Sequence, residues 1–241
     1  ELLAELSGYP ATKIVTTLYS DDEHLFPALQ CGADGYLLKE FVRRKIPALG
    51  IEPAINVAKA AQDAGVPTIT EFFGRDLAKT LVGKGLAADL IIANNVLAHV
   101  PDLNDFVGGL RILLKPRGTL TIEFPHLLRL MVRLQFDTVY HEHFSYFSLL
   151  AAEKLMTTHG LQIFDVEQLQ THGGSLRLYV TQRENDVRHT DRVSALREEE
   201  IGAGLLTGEG YKAFPQKVRE VRRNLLRFLL EAEEQGKIVV G

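Results

Sequence analysis

The chain has 241 residues and a net charge of −4, with 46% hydrophobic and 24% charged residues, which is typical of a globular protein with one large domain or one domain and parts of its neighbours. The acidic balance argues against a broad nucleic-acid-binding surface, and no apolar run approaches the ~18 residues of a membrane helix, so we expect neither nucleic acid nor membrane as a partner. Cys31 is the single cysteine, which excludes an intramolecular disulfide and a multi-cysteine zinc site, and the N-terminus lacks the features of a signal peptide, so we expect a cytoplasmic protein.

The first half of the sequence alternates strand patterns with helical patterns. The predicted strands cover 13–19, 47–53, 66–72, 88–95 and 119–124. The predicted helices cover 22–32, 54–65, 74–85 and 103–118. The strand at 88–95 is apolar on both faces, as a central parallel strand is. This alternation predicts an α/β fold with a doubly wound, mostly parallel sheet between helices.

The second half has a different pattern. It predicts a helix at about 127–135, a polar and aromatic segment at 140–147 and a second helix at 149–160. Two strands joined at Gly173-Gly174 follow at 161–183. Antiparallel pairing of those two strands would complete the sheet. A long amphipathic C-terminal helix then ends at Gly236, and an apolar strand is predicted to begin in "KIVVG" at the end of the chain.

Four residues near the ends of predicted strands are candidates for binding a cofactor, because ligands of open parallel sheets bind at the carboxyl ends of the strands. Glu52 follows the second strand, where its carboxylate can accept both hydroxyls of a ribose or can stabilise the start of the next helix. Phe72 lies at the end of the third strand, where it can flank an adenine ring or pack in the core. Asn94 and Asn95 end the central strand, where they can bind a cofactor or satisfy loop backbone.

The stretch "YHEHFSY" (140–146) contains two histidines, a glutamate and two tyrosines, which suits general acid–base chemistry near neutral pH. His141 and His143 could ligate a metal if the segment is extended, but no further ligand follows at motif spacing, so we expect no metal. A structural network of satisfied polar groups is the other alternative. His99 lies just past the central strand and could reach the same cleft.

Four segments together resemble the sugar C-methyltransferases, which methylate a carbon of a nucleotide-linked keto-sugar. They are "GIEPAINVAKAAQDAGVPTITEFFG", "ADLIIANNVLAHVPDLNDFVGGLRILLKPRGTLTIEFPHL", "FDTVYHEHFSYFSL" and "THGGSLRLYV". The resemblance covers about residues 35–241. It implies a Rossmann-like methyltransferase fold, S-adenosylmethionine (SAM) as the cofactor and a nucleotide-sugar as the substrate.

The resemblance also implies roles for individual residues. His143 matches the proposed base of the family, which takes a proton from the carbon beside the keto group. Tyr140, Glu142 and His99 match residues that position this base or stabilise the resulting enolate. Asp34 and Gly35 match part of the family's glycine-containing cofactor loop.

Three departures from the family pattern accompany these matches. Family members carry an N-terminal zinc-binding domain with several cysteines, whereas this chain has Cys31 alone. They also carry a C-terminal domain that contributes to the nucleotide-sugar site, and here it stops at its predicted first strand. Finally, the strand expected before the cofactor loop is replaced by a helical pattern. Because of these three departures together, we expect weakened activity.

The first 40 residues resemble the second half of a response-regulator receiver domain. Thr16 or Thr17 and Lys39 match the switch threonine and active-site lysine of that family, whose phosphoacceptor aspartate is absent here. Both families share the run from Asp34 to Lys39, so we interpret the chain as a chimera joined there. The receiver family would have a strand at Tyr36–Lys39, and the methyltransferase family would have a helix there. We favour the helix.

The chain is accordingly divided into three parts. Residues 1–40 are a flavodoxin-like β-α-β fragment that completes the sheet, 41–185 are the methyltransferase core, and 186–241 are a helical extension with the start of a truncated domain. The leading hypothesis is a SAM-dependent C-methyltransferase core. The alternative is a non-catalytic chimeric scaffold.

Overall fold

A computed structural model describes residues 13–16 and 34–239. The described strands are β1 (Lys13–Thr16), β2 (Ala48–Ile51), β3 (Thr68–Ile69), β4 (Ala88–Asn94), β5 (Leu114–Pro125), β6 (Leu161–Leu169) and β7 (Ser175–Gln182). The described helices are α1 (Asp34–Arg43), α2 (Ile55–Asp63), α3 (Arg75–Gly83), α4 (Leu103–Leu113), α5 (Leu127–Arg133), α6 (Leu149–Thr158), α7 (Asp191–Gly202) and α8 (Phe214–Glu234). Short 3₁₀ turns connect several of these elements.

The strands form one sheet in the order β3-β2-β1-β4-β5-β7-β6. Among the described strands only β7 runs antiparallel to its neighbours, so the predicted doubly wound, mostly parallel sheet is confirmed. The strand order reverses between β1 and β4. The carboxyl ends of these two strands and of β2 therefore border the crevice in which such sheets bind ligands.

Residues 13–16 lie in the middle of this sheet. Strand β1 pairs in parallel with both β2 and β4, so these four residues lie in the same sheet as 88–95, as the prediction that 1–40 complete the sheet requires. The rest of the strand predicted at 13–19 and the predicted helix at 22–32 lie outside the described residues.

The segment 36–39 is helical, as we favoured, because α1 covers Asp34–Arg43. Its buried residues Leu38 and Phe41 pack with Ile92 of β4 in a hydrophobic cluster on one face of the sheet. The apolar residues of α1 are therefore buried against the central strand, as expected for one face of an amphipathic helix.

The opposite face of the sheet carries the main hydrophobic core, in which α3, α4 and α6 cover β4, β5 and β7. The largest buried side chain here is Phe124 of β5, which is fully buried and lies 5.3 Å, between ring centroids, from Phe147. Both faces of β4 are thus covered, which agrees with its continuous apolar pattern.

Two predicted strands, β3 and β5, have different bounds in the structure. Strand β3 is confined to Thr68–Ile69, after Pro67, which has no N–H for strand pairing. Strand β5 begins at Leu114 rather than at 119, with an irregularity in its pairing to β4 near Gly118. A Cβ at Gly118 would lie 3.0 Å from the carbonyl oxygen of Ala88, so only glycine allows this close approach without adjustment.

The predicted C-terminal helix is confirmed as α8, whereas the predicted strand after it is not formed over the described residues 237–239. Ile238 is 91% exposed there and pairs with no strand that the structure describes. No helix within 13–16 and 34–239 is both long and apolar enough to cross a membrane.

Candidate functional site

The carboxyl ends of β2 and β4 carry the predicted cofactor-binding residues. Glu52 directly follows β2 and is 2% exposed, and its Oε1 accepts a hydrogen bond of 2.8 Å from the N–H of Ala54 at the start of α2. Asn94 is the last residue of β4, and Asn95 next to it has a positive φ of 52°, a conformation that asparagine tolerates better than most residues. The fold therefore places Glu52, Asn94 and Asn95 along one edge of the sheet.

A mainly apolar cavity of about 250 Å³ is lined by Ile51 and Pro53, the residues on either side of Glu52, whereas Glu52, Asn94 and Asn95 do not line it. Its lining comes from the segments that follow β2, β3 and β4: Ile51, Pro53, Phe72, Phe73, Val96, His99, Val100, Pro101, Asp102, Asp105 and Phe106. Phe72 is 78% exposed, whereas Phe73 contacts Phe106 edge to face with ring centroids 5.5 Å apart. Phe72 is therefore available to cover a ring in the cavity, and Phe73 belongs to its wall.

Asp34 and Gly35 are the first two residues of α1. They thus lie in the helix that follows β1 in the described chain. Residues 17–33, which join β1 to this helix, lie outside the described residues.

The segment 136–147 brings several predicted catalytic side chains together. The His143 ring lies 4.4 Å from the Tyr140 ring, 4.6 Å from the His99 ring and 5.7 Å from the Tyr146 ring, measured between centroids. The Tyr140 hydroxyl lies 3.3 Å from His143 Nε2. We call His99, Tyr140, His143 and Tyr146 the histidine–tyrosine cluster.

Backbone carbonyls determine which ring nitrogens carry hydrogen in this cluster. His143 Nδ1 donates to the carbonyl of Thr138 at 2.9 Å, and His99 Nδ1 donates to the carbonyl of Glu142 at 3.1 Å. A carbonyl can only accept, so Nδ1 is protonated in both rings. In the neutral form, Nε2 of each ring then carries the lone pair that can accept a proton.

Backbone hydrogen bonds also hold the segment against the 3₁₀ turn that follows β4. The N–H groups of Phe144 and Ser145 both donate to the carbonyl of Ala98, at 2.9 and 3.2 Å. The sequence analysis missed Ala98 and Thr138, because contacts through backbone atoms leave no signal in the residue type.

Glu142 and His141 occupy different positions from the cluster rings. The Glu142 side chain is 40% exposed and its Oε1 lies 3.9 Å from Nε2 of His141, which is itself 89% exposed. Glu142 contacts His99 through its carbonyl oxygen instead. Within the described part of the chain, no group of three or more His, Cys, Asp or Glu side chains could hold a metal ion.

His99 connects the two halves of the site, because it lines the apolar cavity and also contacts the His143 ring. Burial, and then the proximity of His143, lower the pKa of His99 below its ordinary value. Burial, and then the charge of Glu142, raise the pKa of Tyr140. Near pH 7 the site therefore presents a neutral His99 and a protonated Tyr140.

The lowered pKa of His99 predicts a pH effect on stability. An unfolded histidine binds a proton as the pH falls through about 6.5, whereas folded His99 does so only at lower pH, so acidification from pH 7 favours the unfolded state. We expect His99→Gln to reduce the loss of stability on acidification from pH 7 to below the folded pKa, measured by urea denaturation at a series of pH values. The exposed His141→Gln is the control, and an unchanged pH dependence in His99→Gln would contradict the assignment.

Comparisons with known proteins show which family the chain resembles. The methyltransferase domain model matches residues 31–166, and the model of the C-methyltransferase C-terminal domain matches residues 170–241. The C-methyltransferase NovU of Streptomyces niveus is 33% identical over 193 residues, which are 80% of this chain and 46% of NovU. The chain thus spans about half the length of this relative.

Solved structures show the same fold. The magnesium protoporphyrin IX methyltransferase of Synechocystis PCC 6803, crystallised with bound SAH, has a TM-score of 0.53 and 16% identity, covering 75% of this chain and 78% of that one. A SAM-dependent methyltransferase of Archaeoglobus fulgidus has a TM-score of 0.50 and 13% identity, covering 70% of each chain. At these identities the likeness concerns the fold of the chain.

Proposed function

The chain belongs to the SAM-dependent methyltransferase family, and we propose that it is the core of an enzyme that methylates a carbon atom of a nucleotide-linked keto-sugar. The observation that carries the proposal is the position of His99, which lines the apolar cavity at the sheet edge and contacts the His143 ring at 4.6 Å. A cofactor in that cavity and a substrate at His143 would lie side by side.

The residues around the cavity fit the adenosine part of SAM. The buried carboxylate of Glu52 follows β2, where an acidic side chain accepts hydrogen bonds from ribose hydroxyls in this class of fold. The aromatic and aliphatic wall, with Phe72 at its mouth, suits an adenine ring. Bound SAM would supply an electrophilic methyl group.

The histidine–tyrosine cluster supports the proton transfer. We assign to His143 Nε2 the removal of a proton from the carbon beside the keto group. The C–H bond breaks and its electron pair moves into an enolate, whose carbon would then bond to the methyl group as the bond between that methyl group and the SAM sulfur breaks, with its electron pair left on the sulfur. The proton stays on His143 until it is released to solvent.

The neighbours of His143 support this assignment. The carbonyl of Thr138 keeps the hydrogen on Nδ1 and so leaves Nε2 as the proton acceptor. The Tyr140 hydroxyl, protonated near pH 7, is a donor that can turn to the developing oxyanion. Because His99 is neutral near pH 7, it does not repel the proton that His143 takes up.

Residues 1–40 are proposed as a receiver-like fragment joined to the methyltransferase core at 41–185, with 186–241 as a helical extension. The parallel pairing of β1 with β2 and β4 supports the idea that this fragment supplies a strand of the sheet. The competing proposal, a non-catalytic scaffold of the two pieces, rests on the same pairing.

Binding of SAM tests the proposal directly. We expect saturable binding in titration calorimetry, and we expect Glu52→Gln to raise the Kd about 10–100-fold, since hydrogen bonds to a charged group contribute about 1.5–3 kcal/mol. The matched control is Glu233→Gln on the exposed side of α8, which should leave the Kd unchanged. No saturable binding to the unmodified chain at millimolar SAM would overturn the enzymatic proposal and favour the scaffold.

A further inference from the structure

Glu200 of α7 and His126, the residue after β5, form a buried pair outside the histidine–tyrosine cluster. Both side chains are fully buried, and His126 Nε2 donates to Glu200 Oε1 at 2.8 Å. Buried ionisable groups are costly unless their hydrogen bonds are satisfied. Both residues of the pair form further hydrogen bonds to neighbouring segments of the chain.

Glu200 caps the start of α6. Its Oε1 also accepts a hydrogen bond from the N–H of Leu149 at 2.7 Å, and its Oε2 accepts one from the N–H of Leu150 at 2.9 Å. Ser148 Oγ accepts the N–H of Ala151 at 3.1 Å. The first three N–H groups of α6 are therefore satisfied by two side chains, and the carboxylate lies at the positive end of the helix dipole.

His126 joins this cap to two further segments. Its N–H donates to the carbonyl of Gly174 at 2.9 Å, in the turn before β7, and the next N–H, of Leu127, donates to the carbonyl of Phe147 at 2.9 Å. His126 and Phe147 also form an isolated parallel bridge. The Glu200–His126 pair thus lies where the end of β5, the turn before β7, the end of segment 136–147 and the start of α6 meet.

A short path leads from this junction to His143. Phe147, which is fixed at the junction, directly follows Tyr146, and the Tyr146 ring meets the His143 ring edge to face at 5.7 Å and 89°. The other attachment of the segment is at Ala98, through Phe144 and Ser145. The segment that carries His143 is therefore held at Ala98 and at the junction around Phe147, and Glu200 is part of that junction.

We propose that Glu200, through His126 and the start of α6, is a positioning residue for His143. The inference rests on the proposed function, in which His143 must meet the substrate carbon beside the cofactor. A carboxylate at this point accepts three donors at once. A glutamine there would turn an NH₂ group towards at least one of these N–H groups and release one of the joined segments.

The experiment compares Glu200→Gln with Glu153→Gln. Glu153 also connects α6 to α7, through its ion pair with Arg197 at 2.6 Å, but it contacts neither the start of α6 nor His126. Titration calorimetry with SAM and ¹⁵N NMR of the His143 ring, assigned with a His143→Gln variant, need no sugar substrate. We expect Glu200→Gln to shift the His143 ring signals and keep the SAM Kd within about twofold, with Glu153→Gln changing neither.

Methyl transfer to nucleotide-linked keto-sugars gives the kinetic readout. Displacement of a reacting group by about 1 Å costs up to about 100-fold in rate, so we expect kcat to fall about 10–100-fold in Glu200→Gln. Unmoved His143 signals together with shifted Leu149 and Leu150 amide signals would overturn the inference and leave Glu200 as a helix cap alone. If SAM binds and the His143 signals shift but no sugar is methylated by the unmodified chain, the proposed function fails and the positioning stands.

Amide hydrogen exchange of the unmodified chain covers the case in which Glu200→Gln does not fold. We expect the N–H groups of Leu127, Leu149 and Leu150 to exchange with one common opening free energy, because they meet at the same junction. Faster and independent exchange of Leu127 would separate the segment from the Glu200 cap and overturn the inference.

Discussion

His143→Ala is expected to lower kcat for methyl transfer about 100- to 10,000-fold, the usual contribution of general acid–base catalysis. The physical reason is the loss of Nε2, the nitrogen left as the proton acceptor because Nδ1 donates to the Thr138 carbonyl. The SAM Kd should stay nearly unchanged, since His143 does not line the apolar cavity. Single-turnover kinetics and calorimetry measure the two quantities separately.

His141→Ala is the matched control for this experiment. His141 is two residues away and 89% exposed, so its replacement should leave both kcat and the SAM Kd unchanged. A large loss of SAM binding in His143→Ala would instead identify His143 as a structural residue, and an unchanged kcat would remove it from the reaction.

Phe124→Ala is expected to lower the free energy of unfolding by about 3–5 kcal/mol, the usual effect of removing a phenyl ring from a closely packed core. Phe124 is fully buried on β5 and its ring contacts Phe147, the residue held by the Leu127 N–H. The substitution therefore leaves a cavity beside the segment that carries His143. Urea denaturation followed by circular dichroism measures the effect.

Phe228→Ala provides the comparison for the same change in residue type. Phe228 lies on α8 and is 60% exposed, so we expect a change within about 0.5 kcal/mol. Equal losses in the two variants would show that α8 is as closely packed as the sheet, contrary to the structure.

Much of the fold follows from local patterns in the sequence. The continuous apolar run of β4 predicted a central strand, and Phe41 and Val42, which continue the apolar pattern, favoured a helix at 36–39. These patterns are informative because a parallel strand is buried on both faces and a helix on one. The predicted start of β5 was wrong because Leu114 pairs with Ala88 across an irregularity in the ladder, a tertiary contact that no local pattern records.

The candidate site was predictable in part. Glu52 and Asn95 follow strands and Asn94 ends one, so the rule for open parallel sheets was enough to place them on one edge. The neighbours of His143 within "YHEHFSY" were visible as residue types, but the carbonyls of Thr138 and Ala98 were not. Glu200 was also missed, because it lies 74 residues from His126 and reads as one acid in a charged helix.

The sequence by itself determined the types of elements, their order and the residues available for chemistry at the strand ends, since these depend on local periodicity and composition. Only the tertiary structure decided that His99 lines the cavity and contacts His143, that Glu142 contacts His99 through its carbonyl, and that Glu200 meets His126. Such contacts join residues far apart in the chain, and the packing of the whole sheet and its helices sets their distances.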